Sequence, residues 1–159
     1  MKRVFLLLII ILLISGCAHA ISQEVRHQSV ELSPEVILKD PDTYKGKMVR
    51  LGGMIISSKN TDEGTYIEVL QKPLDYRGRP EDTDISFGRF LILYEGYLDT
   101  AIYSMGKDVT VAGEVLGRQI RPIGEIQYPY LLLKSKEIKL FEPRYGLPIR
   151  FSIGIWTTF

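Results

Sequence analysis

Cysteine and histidine are almost missing from this sequence. The chain has one cysteine, Cys17, and two histidines, His19 and His27, and all three lie near its beginning. A disulfide needs two cysteines, so a hydrophobic core alone must hold any folded domain. Because the body of the chain has no histidine, a His-dependent catalytic triad or a His-rich metal site is not expected there.

A hydrophobic run long enough to span a membrane as a helix is also missing. The run Val4–Ile14 has eleven residues, whereas a membrane-spanning helix needs about 20. Residues 1–3 before it carry two positive charges, and Ser15-Gly16-Cys17 follows it. This is the layout of a secretory signal peptide, which we assign to residues 1–16.

Residues 14–17 also fit a lipobox, in which an aliphatic residue and two small residues precede cysteine. The small residues let a peptidase close on the extended backbone, and the cysteine thiol can carry a diacylglycerol through a thioether. We therefore predict that Cys17 becomes a lipidated N-terminus, with a diacylglycerol and an N-acyl chain and no other cofactor. Two or more acyl chains anchor a protein stably, since each buried CH₂ contributes about 0.8 kcal/mol. The alternative is a secreted protein in which Cys17 lies near the cleavage site by chance.

The residue after this cysteine is Ala18. In enterobacteria-like sorting, aspartate at that position retains a lipoprotein in the inner membrane, so Ala18 favours the outer membrane. Residues 17–32 are mostly polar, and we interpret them as a lipidated tether between the membrane and a folded domain.

A surplus of positive charge is missing too. The whole chain has 20 basic and 19 acidic residues, and loss of Lys2 and Arg3 with the signal leaves 18 and 19, a net charge of −1. Nucleic-acid binding depends largely on Lys and Arg that neutralise phosphates. No nucleic-acid partner is therefore expected.

Strand-like segments dominate the rest of the chain. Ser33 and Pro34 predict the start of a short helix, and Asp99 predicts a single helical turn at residues 100–105. Five segments rich in β-branched, aromatic or alternating apolar residues predict strands: Met48–Ser57, Thr65–Lys72, Gly88–Glu95, Lys107–Leu116 and Tyr130–Phe141.

This order of elements predicts an all-β fold with short helices, namely an OB-fold-like, five-stranded Greek-key barrel at residues 33–141. A different small barrel or a sandwich is the alternative. The pattern G-K-x-V-x-(L/V)-x-G occurs at Gly46 and again at Gly106. We interpret the two copies as equivalent strand entries in which a glycine permits a sharp bend. Residues 142–159 form a C-terminal tail with a possible extra strand.

Several stretches resemble one known family. They are Glu68–Pro80, which contains the distinctive pattern P-L-D-x-R-G-R-P, and Ser86–Phe90, Val109–Gly113, Ile123–Glu125 and Tyr128–Tyr130. Together with the lipobox, they resemble the Slp (starvation-inducible) family of outer-membrane lipoproteins over nearly the whole chain; only Ile155–Phe159 does not match. The resemblance implies a lipoprotein on the periplasmic side of the outer membrane that is associated with starvation or stress. It implies no catalytic residues.

Two regions hold candidate binding residues. Arg77 and Arg79, in the polar loop after the second strand, can bind a phosphate or carboxylate bidentately; the alternative is a solvated loop. An OB-fold binds ligands across strands two and three, where we expect Tyr66 and Arg89, with Arg118 and Tyr128 nearby. Aromatic and arginine side chains there can stack on bases or sugars, or can only pack across strands.

These features favour a non-enzymatic envelope lipoprotein that acts in outer-membrane integrity or stress protection. Its expected partners are the membrane, through the lipid anchor, and an envelope protein. The alternative is an OB-type module that binds an anionic glycan or a lipid headgroup.

Overall fold

The fold consists of five strands and three short helical segments. The computed structural model describes residues 20–30 and 32–142. The predicted signal peptide, Cys17 and most of the predicted tail therefore lie outside the described residues. The elements are α1 Gln23–Gln28, α2 Pro34–Lys39, a 3₁₀ turn Pro41–Tyr44, β1 Met48–Thr61, β2 Gly64–Gln71, β3 Arg89–Tyr94, β4 Asp108–Ile123 and β5 Ile126–Phe141.

The strands close into a barrel in the order β1-β2-β3-β5-β4. All neighbours pair antiparallel except β3 and β5, which run parallel. A five-stranded barrel with this order has the Greek-key arrangement of an OB-fold. The predicted all-β, OB-like fold is therefore confirmed.

Alternating side chains build the barrel core because successive residues of a strand point to opposite faces. Phe90 and Ile92 of β3 point inward and are fully buried, as are Ile67 and Val69 of β2. Ile37 of α2 joins the same cluster. The helix thus packs its one buried residue against the barrel, and the core excludes water without any disulfide.

Gly53 lies where the barrel wall is most crowded. It pairs with β2 on one side and with β4 on the other. A Cβ atom at Gly53 would lie 1.9 Å from the carbonyl oxygen of Leu70, so only glycine fits. Gly53 ends the first copy of the repeated pattern, where a sharp bend is predicted, and the register of β1 shifts farther along, between Ile55 and Ser57.

The two copies of the repeated pattern pair with each other, antiparallel, as parts of β1 and β4. At one end, the Gly46 N–H donates to the Val115 carbonyl at 2.8 Å. At the other end, the Gly106 N–H donates to the Ile55 carbonyl at 2.9 Å. Both glycines have positive φ, 79° and 87°. The repeat therefore marks a local two-fold relation across the β1–β4 seam.

Strands β4 and β5 are longer than predicted. The segment between the fourth and fifth predicted strands has the composition of a Gly-rich loop, but its residues 117–123 continue β4, and only Gly124 and Glu125 separate the two strands. The extended arms pair with each other through Ile120 and Pro129 up to Ile123 and Ile126. The predicted helical turn after Asp99 is a single hydrogen-bonded turn that does not continue into a helix. The Asp99 carbonyl accepts the N–H groups of Ile102 and Tyr103 at 3.0 and 2.9 Å, and Asp99 Oδ1 accepts the Ala101 N–H at 2.8 Å.

The described part of the predicted tether is packed rather than extended. Ile21 is 1% exposed and, with Val25 of α1, forms a second hydrophobic cluster against Ala112 of β4. The Ser22 N–H and hydroxyl donate to the Glu137 carboxylate at 2.9 and 2.7 Å. Residues 20–30 thus dock on the outside of the barrel.

Candidate functional site

Three of the predicted binding residues lie on the outer face of the β2–β3 pair. Tyr66 belongs to β2, Arg89 to β3 and Tyr128 to β5. The Arg89 N–H donates to the Tyr128 hydroxyl oxygen at 3.1 Å. The Tyr128 ring meets Tyr130 edge-to-face, with centroids 4.8 Å apart. The fold therefore brings these residues to one face, as the strand order predicts.

Glu68 is the centre of this face. Its Oε1 atom accepts hydrogen bonds from Arg89 Nη1 and from the Tyr130 hydroxyl, both at 2.8 Å. Its other oxygen accepts from the Ser57 hydroxyl at 3.2 Å. Glu68, Arg89 and Tyr130 therefore form hydrogen bonds with one another.

The pKa values of these groups follow from the same contacts. Burial raises the pKa of Glu68, but hydrogen bonds from Arg89 and Tyr130 outweigh burial and hold it below its ordinary value. The hydrogen bond to Glu68 raises the pKa of Arg89. Burial, followed by the hydrogen bond to Glu68, raises the pKa of Tyr130 to about 12. The face therefore holds an ion pair between Glu68 and Arg89, and the protonated hydroxyl of Tyr130 donates a hydrogen bond to its carboxylate.

Tyr66 is covered by the long β4–β5 hairpin. Its side chain is largely enclosed, with only 8% of the residue exposed. The guanidinium of Arg121 lies 4.1 Å from the centre of the Tyr66 ring, and the Tyr66 hydroxyl donates to Glu63 at 2.5 Å. This hydrogen bond, with burial, raises the pKa of Tyr66. The hairpin thus fills the face on which an OB-fold usually holds its ligand, which favours internal packing there.

The loop of residues 73–84 is ordered by Asp75. Its Oδ1 atom accepts the N–H groups of Arg77 and Arg79, both at 2.9 Å. The Arg79 guanidinium donates to the Glu142 carbonyl at 2.8 Å and lies 5.1 Å from the Phe141 ring centre. Arg79 therefore fastens the loop to the end of β5 and is not a free anion ligand.

Arg77 and Arg118 occupy different surroundings. The Arg77 guanidinium stacks over the exposed Tyr76 ring at 5.2 Å, so both side chains face solvent. Arg118 lies 3.4 Å from Asp42 and 3.8 Å from Asp40. Arg118 thus holds the 3₁₀ turn to β4. No described contact joins Arg77, Arg79 or Arg118 to the β2–β3 face, so the six candidates do not form one site.

A cleft that sequence reasoning missed lies beside α1. Its volume is about 730 Å³, and three of its lining residues can carry positive charge, Arg26, His27 and Arg50. Arg26 and His27 belong to α1, whereas Arg50 belongs to β1. We call this space the N-terminal cleft. No spacing in the sequence points to it, because only the docking of residues 20–30 brings the three side chains together.

Within residues 20–30 and 32–142, no group of three His, Cys, Asp or Glu side chains can hold a metal ion. No helix in those ranges is long and apolar enough to cross a membrane. Lipidation of Cys17, outside these ranges, stays a prediction.

Comparisons with known proteins point to one family. A model described as the outer membrane lipoprotein Slp family matches residues 14–151. The chain is 26% identical over 147 residues to the outer membrane protein Slp of Escherichia coli K12, covering 91% of this chain and 77% of that protein. It is 27% identical over 125 residues to the uncharacterized lipoprotein YeaY of the same organism, covering 77% and 64% respectively.

A third relative is an uncharacterized protein of Haemophilus influenzae, 26% identical over 112 residues, covering 70% of this chain and 58% of that protein. The chain thus spans less than two thirds of the length of YeaY and of the Haemophilus protein. No solved structure matches the chain.

Proposed function

The chain belongs to the outer membrane lipoprotein Slp family, and on that premise we propose how this outer membrane lipoprotein works. It faces the periplasm, has no enzymatic activity, and supports envelope integrity under starvation or stress through contacts with the membrane or with an envelope protein. The observation that carries this proposal is the docking of residues 20–30 on the barrel.

The docking limits how far the barrel can stand from its anchor. The Ala20 N–H donates to the Arg77 carbonyl at 3.0 Å, and Ala20 is three residues after Cys17. An extended chain spans at most about 3.6 Å per residue, so the lipidated residue can lie no farther than about 11 Å from Ala20. A lipid on Cys17 thus holds the barrel against the bilayer instead of on a long tether.

The side chains beside this attachment point suit a membrane surface. Tyr76, 76% exposed, and Arg77 project from the same loop that contacts Ala20. Tyrosine is enriched at membrane–water interfaces, and arginine forms bidentate bonds with phosphate. This loop therefore supports direct contact between the barrel and lipid headgroups.

A non-enzymatic role is supported by how the polar groups of the β2–β3 face are used. Glu68, Arg89 and Tyr130 satisfy one another, and the charge pair stabilises the ionised form of Glu68. A general acid or base needs a pKa near the working pH. The pKa of Glu68 is lowered and the pKa of Tyr130 is raised, so both are shifted away from neutral pH. These shifts suit a structural role better than a role in proton transfer.

The anchor is tested by the variant Cys17→Ser. Labelled palmitate should be incorporated into the wild-type chain and not into the variant, and the wild type should fractionate with outer membranes. Incorporation into Cys17→Ser, or recovery of the wild type with inner membranes, would contradict the proposal.

The stress role needs a separate measurement. In starved cells, deletion of the gene should increase the release of a periplasmic marker enzyme. The wild type should reverse this increase, and so should Lys59→Gln, which removes one exposed charge of β1 away from the membrane-facing loop. Cys17→Ser should not. Full rescue by Cys17→Ser would show that membrane attachment is unnecessary.

A further inference from the structure

We propose that the N-terminal cleft binds the phosphate-bearing headgroup of an anionic phospholipid. The first reason is positive charge that no carboxylate within residues 20–30 and 32–142 neutralises. Arg26 and Arg50 line the cleft, and neither forms an ion pair with any described carboxylate. The Arg26 Nε–H is also buried without an acceptor among the described residues. An anion would supply the missing acceptor and countercharge.

One acidic residue, Asp75, also lines the cleft. Its Oδ1 atom already accepts two backbone N–H groups, those of Arg77 and Arg79. These two hydrogen bonds hold the Asp75 carboxylate against the backbone of its own loop. Asp75 thus shapes the loop, while Arg26 and Arg50, with His27 as a further nitrogen donor, are left for a ligand.

The second reason is that the lining is amphipathic. Val30, Leu74 and Tyr76 contribute apolar surface next to the charged groups. The volume of about 730 Å³ lies within the range of about 300–1,000 Å³ typical of small-molecule sites. Inorganic phosphate alone would leave most of this space empty. A glycerophosphate headgroup with the beginning of its acyl chains matches both the charge and the apolar walls.

The third reason is location, and this step rests on the proposed function. Asp75 and Tyr76 line the cleft, and the next two residues, Arg77 and Gly78, contact Ala20, the described residue nearest to Cys17. Arg77 accepts the Ala20 N–H, and Gly78 lies against the Ala20 side chain. The cleft and Ala20 therefore lie on the same side of the barrel, and Ala20 is only three residues after Cys17, which brings the cleft within reach of the headgroups of the membrane that would hold Cys17.

The test uses the mature lipoprotein in a non-ionic detergent and isothermal titration calorimetry. The probes are dihexanoyl phosphatidylglycerol and inorganic phosphate. Phosphatidylglycerol should bind at least tenfold more tightly than inorganic phosphate. Arg26→Gln and Arg50→Gln should each weaken its binding about tenfold or more, because each removes a charge-assisted bond. Lys59→Gln, which removes one exposed charge elsewhere on β1, should change binding less than twofold.

Three outcomes would overturn the proposal. Equal binding of inorganic phosphate would make the ligand a free anion and not a lipid. Wild-type binding by both arginine variants would show that the ligand lies elsewhere, and absence of phosphatidylglycerol binding would exclude the site. Thermal midpoints confirm that the variants fold, and Arg26→Gln, on the surface helix, decides the test if Arg50→Gln is unstable. Phosphatidylglycerol binding by the purified protein in detergent does not depend on how cells sort the lipoprotein. A negative result in this titration is therefore distinguishable from a negative result in the palmitate-labelling and fractionation test of the anchor.

Discussion

Substitution of Ile21 by alanine should release residues 20–30 from the barrel without unfolding the barrel. Ile21, 1% exposed, is the most buried side chain that residues 20–30 contribute to the second hydrophobic cluster, where it packs with Val25 and Ala112. It is not part of the main core cluster. The remaining described contacts of this segment are mainly surface hydrogen bonds, such as Ser22 to Glu137. Ile21 therefore supplies most of the apolar stabilisation of the docked state.

The size of the effect follows from the atoms removed. The change from isoleucine to alanine deletes three carbon groups, each worth about 0.8 kcal/mol when buried, or roughly 2.4 kcal/mol. A residual cavity would raise the cost toward about 4 kcal/mol. At about 1.4 kcal/mol per factor of ten, the lower figure shifts the docking equilibrium roughly 50-fold.

Native-state hydrogen exchange measures this shift directly. The Ala20 N–H, bonded to the Arg77 carbonyl, should exchange roughly 50-fold faster in Ile21→Ala, by the 2.4 kcal/mol worked out above. Amides of the core strand β3, such as Ile92, should exchange at nearly the wild-type rate. Val36→Ala, at an apolar residue that is 44% exposed, is the control and should change neither amide. Equal acceleration at Ala20 and Ile92 would refute the reasoning, because the segment would then unfold only together with the barrel.

Two further predictions concern the barrel itself. Gly53→Ala should cost several kcal/mol or prevent folding, because its Cβ would meet the Leu70 carbonyl at 1.9 Å; Gly46→Ala, in open space at φ 79°, should cost only about 1–2 kcal/mol in urea unfolding. Glu68 should stabilise the fold above its ordinary pKa of 4.5, and this contribution should be lost as pH falls through its lowered pKa. Glu68→Gln should therefore flatten the acid side of the pH–stability curve, and an unchanged slope would count against the ion pair.

Much of the barrel could be predicted because its strands obey a simple period. Val109, Val111 and Val115 alternate with polar residues, and all three are buried. The arms of the β4–β5 hairpin lack this signal. Beyond Gly117 they pair with each other, and residues such as Ile120 and Ile126 remain exposed. A strand without a buried face has no alternating hydrophobic pattern, so its sequence resembles that of a loop.

The docked N-terminal segment and its cleft show two different limits. Ile21 and Val25 are four residues apart, the spacing of one helical face, so a weak signal for packing was present. Arg26 and Arg50 are separated by α2 and the 3₁₀ turn, and no local pattern links them. Likewise, the sequence predicts that Tyr66 and Arg89 share a face, but not that Arg121 of a longer hairpin would cover it.

The two-fold relation across the β1–β4 seam has a consequence for folding kinetics. The paired copies are about sixty residues apart in the chain, so the entropy of closing a long loop opposes their meeting. The hairpins β1–β2 and β4–β5 join near neighbours and can form first. Closure of the seam is then expected late. Because equivalent glycine hydrogen bonds secure both of its ends, pairing along the seam can begin from either end.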